Sequence, residues 1–106
     1  MFIIRGINVF PSQVESALLA VEGTLPHYQI ILTREEGLDR MEVDVEVTPA
    51  VSSDRVGAIE KLHARLAHSL NQTLGLRVEV RLVAPLSIKR SEGKARRLID
   101  RRNLDQ

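Results

Sequence analysis

An α+β fold, a two-layer sandwich with one sheet packed under two helices, is predicted by three features of the chain. From Arg40 to Thr48, Met41, Val43, Val45 and Val47 alternate with Glu42, Asp44, Glu46 and Thr48, the period of two that a half-buried strand requires. Farther on, Val56, Ile59, Leu62, Leu66, Leu70 and Leu74 recur at helical spacing and make one apolar stripe. Finally, the whole order reads β-α-β-β-α-β, the ferredoxin-like sequence of elements, which predicts an antiparallel sheet with both helices on one face plus a C-terminal loop and helix.

Each element has its own signal. Phe2 to Ile4 is a short apolar strand that stops at Arg5-Gly6, where glycine permits a turn. Pro11 opens a helix, and Ser12 with Glu15 has the spacing of a capping box; Val14, Ala17, Leu18 and Val21 then form its buried face, and Gly23 ends it. Tyr28 to Arg34 is rich in aliphatic residues and reads as a strand. The turn Glu35-Glu36-Gly37-Leu38-Asp39 returns the chain as a hairpin into Arg40 to Thr48, whose acidic residues are expected to form the wet face.

Pro49 breaks that strand, and Ser53-Asp54 is the expected start of the long helix, with Gly75 as its stop. Arg77 to Val83 is the last clear strand. After Pro85 come a loop around Ser91 to Gly93 and a final helix of about two turns reaching Arg101.

The 106 residues amount to one domain with a modest core. The absence of cysteine excludes disulfides, thiolate metal sites and cysteine nucleophiles, and it fits a reducing cytoplasm. No apolar run approaches the ~20 residues of a membrane helix, so no membrane role is expected. Charge is unevenly placed. Lys89 to Gln106 holds seven Lys or Arg against three Asp or Glu, whereas the net charge of the whole chain is only +1. Such a tail suits phosphates of a nucleotide or coenzyme, or a solvated helix surface.

Most site chemistries fail on spacing. His63 and His68 are five apart, about 140° around a helix, and so do not share a face as metal ligands; no metal site is expected. No serine stands in a Gly-x-Ser-x-Gly turn. With Phe2, Phe10 and Tyr28 as its aromatics, the chain lacks a base-stacking platform, and no nucleic-acid partner is expected. Ser91-Glu92-Gly93-Lys94 is different. It lacks the upstream glycine and the following Ser/Thr of a Walker loop, yet it presents one ammonium near a basic helix. That group could neutralise charge on a carboxylate and a phosphate together.

Two terminal motifs extend this reading. Ile3-Ile4-Arg5-Gly6-Ile7-Asn8-Val9-Phe10-Pro11-Ser12-Gln13-Val14-Glu15 resembles the motif that follows the interdomain hinge of the adenylate-forming enzymes, the acyl-CoA synthetases and their relatives. Ser91-Glu92-Gly93-Lys94-Ala95-Arg96-Arg97 resembles their last motif. Pro26-His27-Tyr28-Gln29 and Leu32-Thr33-Arg34-Glu35 add a likeness to the phenylacetate-CoA ligase branch, where Gly6 followed by Ile7 replaces the glycine pair of many relatives.

The resemblance implies a mobile C-terminal domain, residues 1–106, of an AMP-forming acid–thiol ligase that makes an acyl-adenylate and then an acyl-CoA. It implies Lys94 as the catalytic lysine of adenylation, supported by Ser91, Glu92, Gly93 and Arg97 of its loop. Arg5, Gly6, Ile7 and Asn8 would face the coenzyme A path in the second step. Its partner would be an N-terminal adenylation domain, which these residues do not contain, together with a small aryl carboxylate. ATP, Mg and coenzyme A would serve the full enzyme, with no cofactor bound by this part alone and no activity from it. The competing reading is an ACT-like regulatory module that binds a small ligand and pairs as a homodimer through sheet edges.

Overall fold

The computed structural model describes residues 1–49, 57–85, 88 and 98–102. Strands β1 (Phe2–Ile4) and β2 (Ile7–Val9) form a hairpin, followed by helix α1 (Pro11–Leu19). Then come β3 (Thr24–Glu35), β4 (Leu38–Val47), helix α2 (Ala58–Leu74), β5 (Glu79–Val83) and β6 (Leu98–Asp100). The four-stranded sheet has the order β5-β4-β3-β6, and the β1–β2 pair stands apart from it.

The α+β two-layer class holds, with changes inside it. Only the central β3–β4 pair is antiparallel; β5 runs parallel to β4 and β6 parallel to β3, so the sheet is mixed rather than antiparallel. The β4–α2–β5 passage is therefore a crossover unit, which places α2 on one face of the sheet. Phe2–Ile4, expected as a sheet strand, pairs with β2 instead. The C-terminal helix expected to reach Arg101 is not what the described residues show: Leu98–Asp100 pairs with Ile30–Leu32 as a strand. Three residues give too short a pattern for either period to declare itself, and the sheet edge supplies the missing hydrogen bonds.

Local signals explain most boundaries. Glu35 pairs with Leu38 across Glu36-Gly37, which take φ of 52° and 80°, the left-handed pair of a two-residue hairpin. Gly75 ends α2 at φ 75°, its N–H donating to Asn71 O at 2.9 Å. The helix begins at Ala58, not Ser53, because Gly57 takes φ 72° immediately before it. Ser53, Asp54 and Val56 lie outside the described residues.

The cap of α1 is also shifted. Phe10 occupies the N-cap, and its N–H donates to Gln13 Oε1 at 2.9 Å. Phenylalanine has no acceptor to return that bond, so the capping box assigned to Ser12 and Glu15 is replaced by a one-sided cap. The helix closes at Leu19, before Gly23.

The core lies between the helices and one face of the sheet. Val14, Ala17 and Leu18 from α1 meet Leu62, Leu66, Leu70 and Leu74 from α2 over Ile30, Leu32, Met41, Val43, Val45 and Val47. Fully burying one such side chain contributes about 1.5–3 kcal/mol. Ser69 Oγ donates to Ala17 O at 2.8 Å and pins the helices together. Ile59, expected in the stripe, is 41% exposed at the start of α2. No helix among the described residues is long and apolar enough to cross a membrane.

The other face of β4 departs from the expected wet surface. Asp44 and Glu46 are buried, at 8% and 0% exposure. The Ile88 N–H donates to Glu46 Oε2 at 3.0 Å, so Ile88 lies against this face. Among the described residues, Asp44 Oδ1 has no hydrogen-bond partner. A hydrogen bond to the Asp44 carboxyl, then burial, pushes Glu42 above the ordinary glutamate value of 4.5.

Because the folded pKa of Glu42 is raised, the native state holds its proton more tightly than the unfolded chain, and stability falls as pH rises from 4.5 upward. Asp44→Asn removes the like charge and offers Glu42 a donor. It should raise stability at pH 7 by about 1 kcal/mol and flatten that pH dependence, measured by urea unfolding across the series.

Candidate functional site

The residues expected to face coenzyme A lie on the β1–β2 hairpin. Ile4 pairs with Ile7, leaving Arg5 and Gly6 as a two-residue turn with φ of 50° and 78°. Both are left-handed, so glycine is favoured at the second position, while arginine accepts some strain at the first. Arg5, Gly6 and Asn8 are exposed, whereas Ile7 packs against the core and Val9 is fully buried. Ile7 thus serves as an anchor and the other three as surface. A β-carbon at Gly6 would meet nothing within 4 Å, so the space above the turn is open.

A polar clamp holds this hairpin to the sheet. Arg5 Nε donates to Asp39 O at 2.9 Å. Arg102, after β6, donates through Nη1 to Ile3 O at 2.6 Å and to Asp39 Oδ2 at 3.0 Å. Its Nε and Nη2 engage the two Asp100 oxygens at 3.0 Å each, a forked guanidinium–carboxylate pair. Arg34 Nε completes the group with Asp39 Oδ1 at 2.9 Å.

These contacts set the charge states. The Arg34 hydrogen bond, opposed by burial and aided by Arg102, holds Asp39 below its ordinary value of 3.8. The Arg102 hydrogen bond does the same for Asp100, and that pair in turn raises Arg102. Sequence reading missed this clamp because its members are 63 and 99 positions apart in the Arg102–Asp39 and Arg102–Ile3 bonds. No local pattern marks such a separation.

Ser91, Glu92, Gly93, Lys94 and Arg97 lie outside the described residues. Both neighbouring ends of their segment are fixed, however. Ile88 is held by Glu46, and Leu98 enters β6 beside Ile30. From there β6 runs towards Asp100 and the Arg102 clamp, at the Arg5 end. His63, read from sequence as structural, has Nε2 2.9 Å from Val80 O and ties α2 to the edge strand β5. Among the described residues no three His, Cys, Asp or Glu form a group that could hold a metal ion.

Residues 6–102 match the AMP-binding enzyme C-terminal domain. The chain belongs to that family. It is 42% identical to the phenylacetate-coenzyme A ligase of Thermus thermophilus over 96% of the chain but 26% of that ligase, so the chain spans about a quarter of the relative's length. Among solved structures, it superposes with TM-score 0.89 and 38% identity on 2-hydroxyisobutyryl-CoA ligase in complex with 2-HIB-AMP and CoA in the thioesterification state, covering 98% of this chain and 22% of that one. A domain of phenylacetate-coenzyme A ligase from Bacteroides vulgatus matches with TM-score 0.85 and 28% identity, over 96% of this chain and 92% of that one. The AMP-binding enzyme C-terminal domain thus accounts for the mixed sheet, the two helices and the separate hairpin together.

Arg102→Ala leaves Asp39 and Asp100 with fewer donors and frees the β1 carbonyl, and should cost about 2–3 kcal/mol in urea unfolding. Lysine should recover little of this, because an ammonium cannot make the fork. The depressed carboxylates fix the acid response. Their folded pKa values lie below 3.8, so the stabilisation is complete above the unfolded value and disappears as pH falls through the folded ones. The wild type should therefore lose stability more steeply than Arg102→Ala below pH 3.8, read by circular dichroism.

Proposed function

We propose that this chain is the mobile C-terminal domain of an AMP-forming aryl-CoA ligase of the phenylacetate-CoA ligase type. Its partner is an N-terminal adenylation domain that binds ATP and a small aryl carboxylate. In the first step the carboxylate oxygen attacks the α-phosphorus of ATP and pyrophosphate leaves. In the second, the sulfur of coenzyme A attacks the acyl carbon and AMP leaves. Soluble cytoplasmic chemistry of this kind suits a chain without cysteine.

Lys94 serves the first step by placing its ammonium against the carboxylate and phosphate oxygens, where negative charge develops. Ser91, Glu92, Gly93 and Arg97 support that loop. Arg5, Gly6 and Asn8 serve the second, as the surface beside which the pantetheine arm passes, and the domain rotates between the two. Magnesium belongs with the nucleotide phosphates; the described residues offer no ligand set for it, and no step is routed through it.

The observation that carries this reading is the open, clamped Arg5–Gly6 turn in a chain matching the family over residues 6–102. The similar 2-hydroxyisobutyryl-CoA ligase holds CoA in its thioesterification state, which supports a coenzyme-facing role for the equivalent surface. An ACT-like module has no counterpart among the relatives described above.

The test joins this chain to its adenylation domain and times each half-reaction. Lys94→Ala should slow adenylate formation by about two to three orders of magnitude while thioester formation from supplied adenylate persists; equal loss in both would sink the assignment. Gly6→Leu should do the reverse. An added β-carbon there meets nothing within 4 Å, but φ of 78° strains leucine, so Gly6→Asn, which tolerates a left-handed backbone, is the control and intact adenylate formation shows that Gly6→Leu has folded. Normal thioester formation by Gly6→Leu would count against the coenzyme-facing turn.

A further inference from the structure

Arg102 stands eight positions after Lys94, so chain order groups it with the adenylation segment. Its contacts place it elsewhere. Nη1 donates to Ile3 O at 2.6 Å, on the strand that enters the Arg5–Gly6 turn, and to Asp39 Oδ2 at 3.0 Å. The carbonyl of that same Asp39 accepts from Arg5 Nε at 2.9 Å. One guanidinium therefore holds the turn twice, directly through β1 and indirectly through the residue that fixes the Arg5 side chain.

The aim of that guanidinium is itself set. Asp100 Oδ1 accepts from the Arg102 N–H and Nε, and Oδ2 from Nη2, each at 3.0 Å, which fixes the guanidinium plane and leaves Nη1 directed at the hairpin. At 13% side-chain exposure Arg102 is shielded, so solvent ions screen these bonds little.

Loss of this side chain acts unequally on the two elements it joins. β6 keeps its ladder, Leu98–Asp100 against Ile30–Leu32, and the Arg101 N–H still donates to Leu32 O at 2.8 Å. The β1–β2 hairpin has no ladder to that sheet, and its buried Phe2, Ile4 and Val9 leave the tip free to tilt. The strand that follows the lysine's segment thus stays in place while the turn loses its aim.

We propose that Arg102 is a positioning residue for thioester formation, with Asp100 as the group that orients it. The proposal rests on the reading that the Arg5 turn faces the coenzyme path. Arg102 touches neither coenzyme nor adenylate. It keeps Arg5, Gly6 and Asn8 beside the pantetheine arm in the geometry that delivers the sulfur to the acyl carbon. A misplacement of about 1 Å can slow such a step by about a hundredfold. Adenylate formation is indifferent to Arg102, despite its nearness in sequence to Lys94.

The test times the two half-reactions in the chain joined to its adenylation domain, at a temperature where circular dichroism shows each variant folded. Arg102→Ala should slow thioester formation from supplied adenylate, at saturating coenzyme A, by about tenfold or more and change adenylate formation by less than about twofold. Arg102→Lys should behave like the alanine variant, because an ammonium cannot hold Ile3, Asp39 and Asp100 at once. Asp100→Asn breaks the fork but keeps an acceptor. It should show the same asymmetry at smaller size, and it serves where Arg102→Ala does not fold. Arg101→Ala removes an equal charge next door; its exposed side chain has no hydrogen-bond or ion-pair partner among the described residues, so both rates should stay at wild type. In the 106-residue chain, NMR should show the Gly6 and Asn8 amides shifted by Arg102→Ala, with those of Ile30 and Val43 in place.

Equal loss in both half-reactions of a folded variant overturns the proposal, as does unchanged thioester formation by Arg102→Ala; in either case the ligase reading stands. Unmoved Gly6 and Asn8 amides overturn it too, since Arg102 would then act by a route other than the turn. A joined wild-type enzyme that makes adenylate but no thioester would instead remove the coenzyme reading itself, whatever Arg102 does to the turn.

Discussion

Arg102 is the contact on which the candidate surface depends. The β1–β2 hairpin has no ladder to the four-stranded sheet, so its orientation rests on the buried side chains of Phe2, Ile4 and Val9 and on a few polar bonds. Apolar burial is non-directional and fixes the hairpin against the core without fixing the aim of its tip. Direction comes from Arg102 on the Ile3 carbonyl and from Arg5 on the Asp39 carbonyl. At 13% and 15% side-chain exposure, Arg102 and Asp39 are shielded enough for the geometry to persist, unlike the half-exposed Arg40 pairs.

That distinction divides the arginines by role. Arg102 spends its donors on the protein, in a fork with Asp100 and in bonds to Asp39 and Ile3, and has little to offer a ligand. Arg77 spends none among the described residues, and Arg40 holds its partners loosely in solvent. Shielded pairs keep the shape of the turn, and exposed guanidinium groups exchange partners at small cost.

What was legible in the sequence follows from how local each signal is. The β3–β4 hairpin, the leucine face of α2 and the Gly75 stop all depend on residues within a few positions, and all were readable. The hairpin turn at Arg5-Gly6 was readable as a turn, but its return strand Ile7–Val9 was too short to show a period. β6 was misread because Leu98-Ile99-Asp100 sits among arginines that favour a helical reading, while its hydrogen-bonding edge is supplied by β3, far back in the chain. The burial of Asp44 and Glu46 was invisible for the same reason. Alternation assigned them to a separate face from Val43 and Val45, which is correct, and nothing local told that Ile88, 42 positions on, bonds to Glu46 on that face.

The bond from Ile88 to β4 bears on the lysine as well. Residues 89–97, which include Lys94, lie outside the described residues, but on either side of them Ile88 is held by a fully buried glutamate and Leu98 is held in the sheet beside Ile30. A buried carboxylate is costly unless it is hydrogen-bonded, and Glu46 is 0% exposed. The backbone N–H of Ile88 supplies part of that satisfaction, so the two stabilise each other. At the far end, β6 leads directly into Asp100 and Arg102, the clamp of the Arg5 turn. Ile88 and Leu98, the described residues on either side of 89–97, and the Arg5 turn are thus tied to the same sheet.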